Sequence, residues 1–138
     1  MTGTSSSFAT TTAIAQWSLR IGFLLALLFG LGFWTGIIPA NGLVVIHMLL
    51  GLIVVAALWG LGLLQAVRGG SLGLTAGTFV YGLIVAIYGL TQRQLWAAVH
   101  NAGGITTLQI LHLLLGIGAI GLGEMCAGRI RRATATAA

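Results

Sequence analysis

Apolar positions run almost unbroken through four stretches of this chain, approximately Trp17–Ile38, Leu43–Val67, Leu72–Thr91 and Ile105–Ala127. Each is about long enough to cross ~30 Å of hydrocarbon as a helix rising 1.5 Å per residue. Turn-forming residues gather between them. Pro39-Ala40-Asn41-Gly42 carries the only proline, and Arg68-Gly69-Gly70-Ser71 is a second tight turn. Residues 92–104 form one longer connection, with room for a short interfacial helix around Trp96. Short connections make sequential helices antiparallel neighbours, so the pattern predicts an all-α, four-helix transmembrane bundle of up-down-up-down topology. Residues 1–13 carry no charged side chain and are expected to form a flexible or interfacial tail. The single transmembrane domain would then occupy 14–132, with a second tail at 133–138.

Composition agrees with a bilayer as the solvent. Of 138 residues, 58% are hydrophobic and 5% charged, and a soluble domain of this length could not bury that much apolar surface. The N-terminal segment lacks the basic start of a secretory signal, and no small-residue cleavage site follows the first apolar run, so that span is expected to remain as an anchor. Six arginines face one acid, Glu124, for a net charge of +5. They are scattered at helix ends, which marks topology and headgroup contacts rather than a nucleic-acid footprint. Arg20, Arg68, Arg129, Arg131 and Arg132 share the side of the termini, whereas Arg93 alone lies on the other. The positive-inside rule therefore predicts cytoplasmic termini, in what is expected to be a prokaryotic cytoplasmic membrane. Cys126 is the only cysteine, so neither a disulfide framework nor covalent haem attachment is available. Most of the twenty-two glycines read as close-packing positions, as in Gly32/Gly36 and the run Gly69, Gly73, Gly77.

Two histidines interrupt the apolar pattern in matching frames, Ile46-His47-Met48-Leu49-Leu50-Gly51 and Leu111-His112-Leu113-Leu114-Leu115-Gly116. An ionisable side chain inside a span is costly and is a functional-site hypothesis by default. Helices 2 and 4 would run in the same direction as diagonal neighbours, with the two histidines within roughly 5 Å of one depth, in the outer third of the membrane. That placement suits the two axial ligands of one haem b. Gly51 and Gly116, one turn deeper on the same faces, would leave room for the ring. A (bacterio)chlorophyll and a purely structural pair are the alternatives. Arg93 and His100, in the connection on the outer side, are candidates for pairing with haem propionates. Glu124 is expected in a salt bridge or at a solvated helix end, with a proton-handling or quinol-site role as the alternative.

A four-helix unit with histidines early in helices 2 and 4 resembles one half of the haem A synthase family, through the H-x-L-L-G segments at His47 and His112. The resemblance covers the four spans and implies haem b at these two positions. The acidic residue that the family places near the outer start of helix 2, and its outer cysteine pair, have no counterpart here. The expected function is therefore electron transfer by a small b-type cytochrome, within or towards a larger membrane redox complex or homo-oligomer, with quinol as a further partner. An accessory or assembly subunit of a respiratory or photosynthetic complex, and a haem-modifying enzyme, are the alternatives.

Overall fold

In the computed structural model, which describes residues 3–99 and 105–135, four helices follow one another: α1 (Gly3–Thr35), α2 (Leu43–Val67), α3 (Leu72–Val99) and α4 (Ile105–Ala135). Each contains a stretch long and apolar enough to span a membrane. Large apolar side chains such as Leu24, Val45, Leu83 and Leu114 are exposed around the outside, as expected where the surrounding medium is lipid. The chain is an integral membrane protein with an all-α, four-helix fold.

Contacts between named residues fix how the helices run. Gly22 lies beside Val54, Trp59 beside Phe79, Tyr81 beside Leu115, and Arg20 beside Glu124. His47 lies beside Ala26, Thr75 beside Gly62, and Tyr88 beside Leu108. Each such pair of helices meets in opposite senses, so consecutive helices are antiparallel. The helices form a ring in chain order, and α2 also touches α4 across the middle while α1 and α3 barely meet. The short diagonal is thus the one that carries both frame-matched histidines.

The connection between α2 and α3 behaves as its composition predicts. Gly69 adopts φ +72°, with Gly69 N–H bonded to Ala66 O and Gly70 N–H to Gln65 O. This is the left-handed glycine stop that satisfies the last carbonyls of a helix. The helix limits differ from expectation at four places, the first being that α1 stops at Thr35, where Gly36, expected as a packing position, adopts φ +73° with nothing within 4 Å of a methyl there. The expected N-terminal tail is helical from Gly3, α3 continues through Val99 across the start of the expected long connection, and α4 continues to Ala135. Within the first of these extensions Thr11 and Thr12 donate to the carbonyls of Ser7 and Phe8 one turn earlier, which satisfies the hydroxyls inside the helix.

Packing is uneven along the bundle axis. Leu19, Leu58, Leu61, Ala119, Cys126 and Ile130 form a buried core in the half towards the termini. In the opposite half, no residue of 43–53, 83–92 or 106–118 is buried, and within 23–35 only Gly32 is. Tight interdigitation holds one half of the bundle, and the histidines stand in the looser half.

Candidate functional site

The structure brings His47 and His112 together. Their ring centres are 5.9 Å apart with the planes at 48°, and both side chains are half-buried in the helical bundle. Further rings extend the pair into a row across the bundle: Phe33 of α1 meets His47 edge-on at 5.8 Å, and Tyr88 of α3 stacks on His112 at 5.7 Å. Each of the four helices contributes one ring.

His47 is held by its second nitrogen. Its Nδ1 lies 2.9 Å from the Ala26 carbonyl oxygen of α1. A carbonyl oxygen only accepts, so Nδ1 carries the proton and Nε2 keeps the lone pair. Gly30 makes this possible: a methyl group there would sit 3.3 Å from His47 Cε1, and any larger side chain would fill the path to Ala26 one turn below. Gly89 of α3 plays the matching part for His112, with 3.7 Å from a methyl at that position to Cε1. His112 Nδ1 is buried and has no hydrogen-bond partner. A buried polar atom without a partner is uncommon and costs about 1–3 kcal/mol.

Neither of the two glycines expected to leave room for a ring touches an imidazole. A methyl at Gly51 would meet nothing within 4 Å, and one at Gly116 would meet Phe23 Cε2 of α1 at 3.2 Å. Gly30, Gly89, Phe33 and Tyr88 are the residues that touch the imidazoles, and the sequence reading did not single them out. A signal for two of them was present in Phe29-Gly30-Leu31 and Tyr88-Gly89-Leu90, an aromatic-glycine-leucine step repeated in α1 and α3. His100 and the Arg93 side chain lie outside the described residues.

Two tyrosines, one helical heptad apart, clamp α3 to α4 beside the pair. Tyr88 donates to Leu108 O at 2.9 Å and Tyr81 to Leu115 O at 3.1 Å. Both carbonyls belong to the turns that flank His112, so this register fixes the depth of its ring.

Chemically, the pair offers two imidazole nitrogens and little else. Among the described residues no group of three His, Cys, Asp or Glu comes together. That is a poor cage for a bare metal ion, which needs more donors. It is a sufficient set for a metal that arrives with its own equatorial ligands. His47 and His112, with ring centres 5.9 Å apart, are the residues that would hold such a group. The donor types and the looser packing of this half of the bundle fit a planar macrocycle with a central metal.

A second polar cluster joins α1 to α4 in the other half. Arg20 donates from Nε and Nη2 to the two carboxylate oxygens of Glu124 at 2.6 and 2.9 Å, and Gln16 Nε2 adds a third bond at 2.7 Å. Arg131 Nη1 completes the chain by donating to Gln16 Oε1 at 2.9 Å. Glu124 therefore sits in the expected salt bridge, in a two-pronged geometry that fixes α1 against α4. Comparison with protein-family models, curated proteins and solved structures returned no match.

Proposed function

We propose that this protein is a small b-type cytochrome of a prokaryotic cytoplasmic membrane. His47 and His112 would supply the two axial nitrogens to one haem in the half of the bundle that holds the connection between α1 and α2. The observation that carries the reading is the approach of two imidazoles from α2 and α4, ring centres 5.9 Å apart, with no third His, Cys, Asp or Glu grouped with them among the described residues. Haem supplies reversible one-electron chemistry at its iron. The residues around it have separate tasks. Ala26 O holds the His47 ring so that Nε2 keeps its lone pair, and a carbonyl partner makes that nitrogen a better donor. Tyr88 and Phe33 pack against the two rings and limit their rotation. With both His47 and His112 bound to it, the iron would be left to transfer electrons rather than to bind oxygen. A single haem near one face calls for a partner to carry electrons onwards, such as a quinol or a larger membrane complex. The arginine asymmetry supports cytoplasmic termini and puts the haem towards the outer face.

The test is an absorption spectrum of the purified protein, taken in native membranes or after haem is supplied. The expected result is a low-spin b-type spectrum that sharpens on reduction. His47→Ala and His112→Ala should each convert it to high spin or abolish binding. Absence of a Soret band from haem-supplied protein, or a spectrum indifferent to both substitutions, would overturn the reading.

A further inference from the structure

Charge bookkeeping leaves arginines in want of a counter-ion. Glu124 is the only acidic side chain in the chain, and its two oxygens are taken by Arg20 and Gln16. Among the described residues Arg20–Glu124 is the one ion pair. Arg68 and Arg131 come from different elements, the α2–α3 turn and the last turns of α4, and both line one groove of about 470 Å³. Phe8, Thr12, Gln16 and Ile130 line it with them.

Both guanidiniums are oriented. Arg68 lies over the ring of Phe8, 4.0 Å from its centre, a stacking that leaves the N–H edge of the planar group directed sideways. Arg131 is anchored through Nη1 on Gln16 Oε1, and Gln16 is itself fixed by Glu124. The groove also lies at a particular depth. Arg68 at the end of α2 meets Phe8 near the start of α1 and shares the groove with Arg131 in the last turns of α4, so the groove sits at the end of the bundle. At about 1.5 Å per residue every helix exceeds a ~30 Å hydrocarbon core, so an end of the bundle that carries hydroxyls and arginines is expected at the headgroup layer.

We infer that this groove binds the headgroup of an anionic phospholipid, with the phosphate between Arg68 and Arg131 and the glycerol and upper acyl carbons against Phe8 and Ile130. Guanidinium matches phosphate through paired N–H donors, and the apolar lining favours an amphiphile over a free anion. The site is independent of the histidine pair.

The full chain in detergent, tested by native mass spectrometry with phosphatidylglycerol and phosphatidylcholine as probes, decides the matter. Phosphatidylglycerol should be retained preferentially, and inorganic phosphate should not displace it at equal concentration. Arg68→Ala and Arg131→Ala should each lower that preference about fivefold, the equivalent of about 1 kcal/mol per arginine beside an anionic surface. Arg68→Lys and Arg131→Lys should lose less, and Arg129→Ala, outside the groove, should lose nothing. Equal retention of the two lipids by the wild-type chain overturns the proposal, as does an unchanged preference in folded alanine variants. Displacement by inorganic phosphate overturns the lipid assignment in favour of a free anion. Should both alanine variants misfold, the wild-type preference and the lysine variants decide.

Discussion

Gly62 gives the sharpest test of how α2 is seated. Its missing side chain faces Thr78 of α3: a methyl there would overlap Thr78 Oγ1 and lie 3.2 Å from Thr78 Cβ. Thr78 is fully buried, and its hydroxyl donates to Thr75 O at 2.7 Å. Thr75 in turn donates to Gly62 O at 3.1 Å, so the two backbones are drawn together at this point. In Gly62→Ala the threonine must turn away or the helices must part. Overpacking of this kind costs about 1–3 kcal/mol, and a lost hydrogen bond within a membrane bundle adds roughly 0.6 kcal/mol. Better helix propensity returns about 1 kcal/mol. The net expectation is destabilisation of about 1.5 kcal/mol. Thr78→Ala removes the obstructing oxygen, so the double variant Gly62→Ala/Thr78→Ala should recover wild-type stability, giving a coupling of about 2 kcal/mol. Gly60→Ala on the same helix is the control, because a methyl there meets nothing within 4 Å. Unfolding by titrated SDS, followed by circular dichroism, reads all four variants. Gly62 lies about four turns along α2 from His47, so haem binding by the folded Gly62→Ala protein should be unchanged. Wild-type stability in Gly62→Ala, or a loss that Thr78→Ala does not relieve, would refute the packing argument.

Two further outcomes follow from the histidine end and from the topology. Gly30→Leu should fill the path from His47 to Ala26 O and weaken haem binding at least tenfold, while Gly89→Ala, whose methyl would make an ordinary 3.7 Å contact with His112 Cε1, should leave it within about twofold, a change of under 0.5 kcal/mol; a haem titration that ranks them the other way would refute the assignment of these glycines. Reporters at the N-terminus and at Gly70 should respond as cytoplasmic and those at Asn41 and Gly103 as external, because five arginines stand on one side against one on the other; a cytoplasmic signal at Gly103 would invert the orientation.

The sequence by itself determined the four apolar helices, their interruption at Pro39 and Gly69, and the two histidines in matching frames. Hydropathy, turn chemistry and helical period are local properties, and each can be read within a window of one span. Parallel placement of α2 and α4 also followed from connection length, and with it the shared level of His47 and His112. The tertiary structure decided the rest. Whether a Ser/Thr-rich segment such as residues 3–13 joins α1 depends on where its hydroxyls find acceptors and on Phe8 meeting Arg68, contacts that no hydropathy window contains. Likewise, the glycines against the imidazoles themselves are Gly30 and Gly89 on the neighbouring helices, which no helical period along α2 or α4 contains. A helix face follows from sequence spacing, but what stands opposite it depends on crossing angle and register. Those are set by cross-helix bonds such as Tyr88 to Leu108 and Arg20 to Glu124, which join residues far apart in the chain.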